Sequence, residues 1–105
     1  MPKSKDFNEY LLEKLKDPKR AIGYLNAVLE DCKDGSKESQ ELLLLALKAV
    51  AEAQGGMAGI AKKASLSRES LYKALSKKGN PKLTTLTALV SAMGFEFRLS
   101  LPSKR

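Results

Sequence analysis

Histidine and tryptophan are absent from this 105-residue chain, cysteine occurs once, and aromatic residues make up only 6%. With no histidine and only Cys32, zinc sites built from Cys and His are excluded, and so are Cys–His and Ser–His nucleophile pairs. A lone thiol cannot close an internal disulfide, which fits a reducing compartment. Cys32 reads as a small residue near a helix end, with no activating base evident nearby. Long apolar runs are missing too. The longest, residues 42–51, is interrupted by Lys48 and falls well short of the roughly 18 to 20 residues that cross a bilayer. The first six residues have no apolar stretch behind their charges, so no secretory signal and a cytoplasmic location are expected. Carboxylate or Ser–Lys chemistry is not excluded by composition, but no spacing assembles a general base, a nucleophile pair or a phosphate loop. The expectation is a protein that is not an enzyme and holds no metal, no cofactor and no membrane.

What is present is positive charge, unevenly spread. The net charge is +7. Residues 1–40 carry eight basic and eight acidic side chains, so the whole surplus lies in residues 41–105. Between residues 57 and 82, seven basic residues (Lys62, Lys63, Arg68, Lys73, Lys77, Lys78, Lys82) face Glu69 alone. A field of one sign on a folded segment attracts a polyanion, although a merely solvated basic face has the same composition.

The apolar pattern is helical for most of the chain. Phe7, Tyr10, Leu11 and Leu15 recur at helical spacing, which predicts a helix over residues 7–16 with Asp6 as its cap. Asp17-Pro18 restarts the chain with a capping residue followed by the residue best suited to the first helical position. Ala21, Ile22, Leu25, Val28 and Leu29 then form one stripe through residue 31. Ser36 or Ser39 can cap a third helix running to about residue 53, apolar nearly all round and therefore expected in the centre of the fold. Gly55-Gly56 ends it. Two short helices over residues 57–64 and 68–77 follow, joined by Ser65-Leu66-Ser67. Beyond a turn at Gly79-Asn80-Pro81, Leu83, Leu86, Leu89, Val90 and Met93 mark a last amphipathic helix closed by Gly94. Residues 95–101 alternate strictly, with Phe95, Phe97, Leu99 and Leu101 on one side, the pattern of a β-strand. The chain offers that strand no partner, so the expected partner is the same strand of a second copy across a two-fold axis.

The expected fold is therefore all-α: one domain over residues 1–105, a bundle of five to six helices with a short C-terminal strand. Within it, residues 7–53 form N-terminal helices, residues 54–94 a unit built around the two short helices, and residues 95–101 the dimerising strand.

The segment 57–76, MAGIAKKASLSRESLYKALS, has the shape of a helix-turn-helix. Ala61 is small where two steeply crossing helices approach. Ile60, Ala64, Leu66, Leu71, Ala74 and Leu75 are apolar positions that join the unit to a core, and Ser67 can cap the second helix. Arg68, Glu69, Tyr72, Lys73 and Ser76 remain to be exposed. An ordinary pair of short helices is the alternative, but it leaves a basic outer face without a reason. Glycine is common at the first turn residue of such units; Ser65 stands there.

The chemistry of the exposed residues suggests roles. Arg68, in the first turn of the second helix, can bridge guanine O6 and N7, or else meet a phosphate or pair with Glu69. Glu69 can accept from cytosine N4 or simply favour the helix N-terminus. Tyr72 can offer its hydroxyl to a phosphate or its ring to a thymine methyl, unless it is buried. Lys73 meets backbone or base. Ser67, Ser76, Lys77, Lys78 and Asn80 are placed to hold phosphates, and the amides of Met57 and Ala58 offer a helix N-terminus for another.

Several stretches together resemble a known family: Asp17-Pro18, Tyr24-Leu25-Asn26, Ala46-Leu47-Lys48, the run from Val50 to Ala53, Gly55-Gly56-Met57, the run from Leu66 to Leu75, and Gly79-Asn80-Pro81. They look like the probable addiction-module antidote proteins, a branch of the Cro and phage-repressor superfamily, over roughly residues 17–99. The resemblance implies a Cro-like helix-turn-helix and a type II antitoxin that dimerises, represses its own operon through a near-palindromic double-stranded DNA operator, and neutralises a small RelE-like toxin. The near-neutral helices of residues 7–53 are then the natural surface for that toxin, or else only complete the core. Two other readings remain open: a phage-type or metabolic repressor with no toxin, and an interaction module whose basic face binds an acidic protein.

Overall fold

The computed structural model describes residues 4–102, and among them the chain forms six helices and no strand. They are α1 (Ser4–Leu15), α2 (Pro18–Glu30), α3 (Lys37–Ala53), α4 (Gly56–Lys63), α5 (Arg68–Ala74) and α6 (Leu83–Ala92). Local chemistry accounts for most of these boundaries. Asp17 caps α2, its carboxylate accepting from the Lys19 amide at 3.1 Å, with Pro18 at the first helical position. Of the two serines able to cap α3, Ser36 does so, accepting from the Ser39 amide at 3.1 Å. The α1 helix begins at Ser4, so Asp6 falls inside it rather than ahead of it.

One core joins all six helices. Leu15 of α1, Ala21 and Leu25 of α2, Leu44, Leu47 and Val50 of α3, Met57 and Ile60 of α4, Leu71 of α5 and Leu89 of α6 are buried in a single cluster. Helix α3 is its centre, packed by α1 and α2 and by α4, which it meets at 99°. Neither helix is long and apolar enough to cross a membrane by itself. Gly55 and Gly56 make the corner with φ of 138° and 83°, values open to glycine at no steric cost.

Three expectations are corrected. The α3 helix is not buried all round: Leu42 and Leu45 are 45% and 63% exposed, because no neighbouring helix covers that side. Of the four apolar residues expected on the α1 stripe, Leu11 and Leu15 turn toward the core, while Phe7 and Tyr10 are more than half exposed.

The third correction concerns residues 95–101, which are not a strand. Alternation favours an extended backbone, but a strand exists only through a ladder partner, and among the described residues there is none. Instead the Phe95 amide donates to the Val90 carbonyl at 3.0 Å and closes α6 around Gly94, whose φ is 90°. Phe95 packs against the core. Phe97 and Leu99 lie along Leu83 and Thr87 of α6, and Leu99 and Leu101 are almost fully exposed.

Candidate nucleic-acid interface

Helices α4 and α5 are joined by four residues. The Leu66 amide donates to the Ala61 carbonyl at 2.8 Å and the Ser65 amide to the Lys62 carbonyl at 3.2 Å, the paired bonds of a Schellman motif. That motif requires a left-handed residue between helix and exit, and Ser65 supplies it with φ of 59°. Ser65 thus occupies a glycine conformation without being glycine, at a cost of roughly 1–2 kcal/mol. Ser67 then caps α5, accepting from the Ser70 amide at 2.9 Å. Leu71 and Leu75, fully buried, pin α5 to the core, and Ala61 is buried on the α4 side of the turn.

With Leu71 and Leu75 inward, the opposite face of α5 must point to solvent. Arg68, Glu69, Lys73 and Ser76 are exposed and Tyr72 is 38% exposed, so the buried reading of Tyr72 does not hold. Arg68 and Glu69 form no ion pair. Indeed, among the described residues the only ion pairs lie elsewhere, at Glu13–Lys16, Asp17–Arg20, Glu30–Lys33 and Glu96–Arg98. Among the described residues none of the basic side chains between 57 and 82 is within ion-pair distance of a carboxylate, although Glu38 and Glu41 line one groove with Lys77.

The proposed phosphate-holding groups fall into two kinds. Lys77, Lys78 and Asn80 are exposed on the turn after α5, which ends at Ala74, three residues earlier than its expected end. The other groups have local duties. Met57 as a whole residue is only 4% exposed, whereas Ala58 is exposed, so of the two expected amides only that of Ala58 belongs to a surface residue, at a helix start that no side chain caps. The Ser67 hydroxyl donates to Ser70 Oγ at 2.8 Å while capping α5, and the Ser76 hydroxyl donates to the Lys73 carbonyl at 2.8 Å.

Two residues on α3 belong to this surface although their helical pattern gave no reason to include them. Gln40 donates to the Gly79 carbonyl at 2.8 Å and so holds the turn that carries Lys77, Lys78 and Asn80. Gly79 is buried there, and a Cβ on it would collide with the Ala74 carbonyl, which is why only glycine fits. Lys48 places its ammonium 5.7 Å from the centroid of the Tyr72 ring, whose other cationic neighbour is Arg68 at 5.6 Å. Its one signal in the sequence was that it interrupts an otherwise apolar run.

Away from this surface, Cys32 is half-buried and its thiol donates to the Ser39 carbonyl at 3.3 Å, a structural placement. Beside it Asp34 accepts from the Ser39 hydroxyl at 2.7 Å and the Ser36 amide at 3.0 Å. Those bonds, the Ser39 hydroxyl first, hold its carboxyl below the ordinary 3.8.

No solved structure matches this chain. A protein of Haemophilus influenzae (strain ATCC 51907 / DSM 11121 / KW20 / Rd), described as uncharacterised, is 37% identical over 95 residues, covering 90% of this chain and 89% of that one. The family model described as "Probable addiction module antidote protein" matches residues 4–101, which takes in α1 as well as the segments from Asp17 onward that first suggested it. On that match, nearly end to end over the helices described above, the chain belongs to the family of probable addiction module antidote proteins.

Proposed function

We propose that this chain is the DNA-binding antitoxin of a type II toxin–antitoxin module: a helix-turn-helix repressor of its own operon that also neutralises a small RelE-like toxin. Membership of an antidote family implies a toxin partner. The observation that carries the DNA-binding part is the outer face of α5, where Arg68, Glu69, Tyr72 and Lys73 point outward from a helix pinned by Leu71 and Leu75. The second helix of a helix-turn-helix enters the major groove and reads base edges from its N-terminal turn. Arg68 is in that turn, free of any ion pair among the described residues, and takes guanine O6 and N7. Glu69 favours the α5 N-terminus, Tyr72 and Lys73 complete the reading face, and Lys77, Lys78 and Asn80 with the Ala58 amide fix register on phosphates.

The chain acts as a homodimer on a near-palindromic operator, with two α5 helices in successive major grooves about 34 Å apart. The bare apolar side chains of Leu83, Phe97, Leu99 and Leu101 support an interface at the C-terminal end. The helices α1 to α3 are the surface left for the toxin, where Phe7, Leu42 and Leu45 stand exposed.

A gel shift with the DNA immediately upstream of the reading frame tests the proposal. Selective binding is expected, with log affinity falling against log salt by about 0.9 per phosphate neutralised. Arg68→Ala should cost about 1–3 kcal/mol and relax preference at one base pair. Equal affinity for scrambled DNA, in wild type and variant alike, would refute base reading by α5. Co-expression with the adjacent small reading frame should yield a complex and relieve growth arrest.

A further inference from the structure

We propose that Lys48, on α3 and outside the α4–turn–α5 unit, is a positioning residue of the DNA-reading face: it holds the Tyr72 ring in place so that Arg68 is free to leave that ring for a base edge. The inference rests on the reading of α5 given above and adds a residue to it from another part of the chain.

Arg68 and Tyr72 are four residues apart on one helix, so their contact is of a kind any helix provides. The contact from Lys48 is different in kind. It comes from the most firmly held helix of the fold, where Leu44, Leu47, Val50 and Ala51 are buried around it. The stem of Lys48 is half-buried, and its ammonium reaches solvent over the Tyr72 ring. Two cations thus share one aromatic ring, and among the described residues neither has a carboxylate partner. Glu38, Glu41 and Glu52 line the grooves beside Lys48 without pairing with it, so what draws Arg68 off the ring is a phosphate or the acceptors of a guanine and not a strain in the free protein. Arg68 sits at the end of α5 with a long, exposed side chain, and it is the one able to move. Lys48 is anchored by the core and stays. With Lys48 still over the ring, Tyr72 keeps a cationic partner and its orientation after Arg68 departs.

The experiment uses the full chain, fluorescence anisotropy, a duplex taken from the DNA upstream of the reading frame, and a scrambled duplex of equal length. Lys48→Met keeps the stem and removes the charge, and it should weaken binding to the upstream duplex about two- to five-fold, the range expected for loss of an exposed cation–π contact, with a smaller effect on the scrambled duplex. Lys48→Arg should restore wild-type affinity, and Lys48→Met should lower the melting temperature by no more than the few degrees that an exposed cation–π contact is worth. In a Tyr72→Leu background Lys48→Met should change affinity no further, because the ring through which it acts is gone. In the free protein, NMR should show the Lys48 ε-methylene shifted upfield by the ring, and the shift should vanish in Tyr72→Leu. Equal weakening on both duplexes, undiminished in the Tyr72→Leu background, would make Lys48 a plain phosphate contact and overturn the proposal. So would an ε-methylene at its ordinary position. A wild-type chain that binds no duplex at all removes the reading of α5 itself, and this inference with it.

Discussion

Replacing Ser65 by glycine should make the protein more stable, although it removes atoms and adds flexibility. Ser65 is held at φ of 59° by the Schellman bonds that end α4, and it is the single non-glycine residue with positive φ among those described. An L-residue in the left-handed region costs roughly 1–2 kcal/mol relative to glycine. Against this, glycine gives the unfolded chain more freedom to lose, about 0.5–1 kcal/mol. The Ser65 side chain is exposed and makes no hydrogen bond among the described residues, so nothing else is lost. The balance favours Ser65→Gly by about 0.5–1 kcal/mol, which for a domain of this size raises the melting temperature by roughly 2–8 °C. Thermal unfolding followed by circular dichroism at 222 nm reads it directly, and urea unfolding should show a higher midpoint at unchanged slope. Ser65→Val should go the other way, since a β-branched side chain tolerates positive φ least. A glycine variant no more stable than wild type, beside a neutral valine variant, would mean that the turn is not left-handed at Ser65.

Three further outcomes follow from other contacts. Gly79→Ala should destabilise by about 1–3 kcal/mol because its Cβ would be driven into the carbonyls of Lys73 and Ala74; an unchanged urea midpoint would show that this turn can relax. Gln54 donates to the carbonyls of Leu15 at 2.7 Å and Lys16 at 3.1 Å, so Gln54→Leu should leave the end of α1 untied, cost about 1 kcal/mol and speed tryptic cleavage at Lys14 and Lys16, where unaltered cleavage would contradict it. Asp34 has its folded-state pKa lowered, so its contribution to stability is present above its ordinary value and disappears as pH falls through the folded one; Asp34→Asn should therefore lower the melting temperature at pH 7 and narrow its gap to wild type near pH 2, and a gap independent of pH would contradict it.

The helices were legible wherever their chemistry is local. Asp17-Pro18, Ser36 and Ser67 start helices by side-chain caps that reach only two or three residues along the chain, and such caps are written in the sequence itself. The outward direction of Arg68, Glu69 and Lys73 was legible for a similar reason: the apolar positions at Leu71 and Leu75 dictate which face of α5 is buried. Phe7, Tyr10, Leu42 and Leu45 were misplaced because periodicity shows that a face is apolar, not whether another helix arrives to cover it. Residues 95–101 failed in the same way, since alternation describes one strand and a sheet needs two.

From the sequence alone came the identity and order of the helices, the absence of histidine, the family, and the basic stretch that runs through α4, α5 and the turn after them. The tertiary structure alone decided that Lys48 meets Tyr72, that Gln40 holds the Gly79 turn, that Gln54 ties down α1, and that Phe97 and Leu99 lie unladdered along α6. The division follows distance along the chain. A cap or a helix face is settled by neighbours within four residues, whereas these contacts, the tail's excepted, join residues 24 to 39 positions apart that meet only once the core has closed.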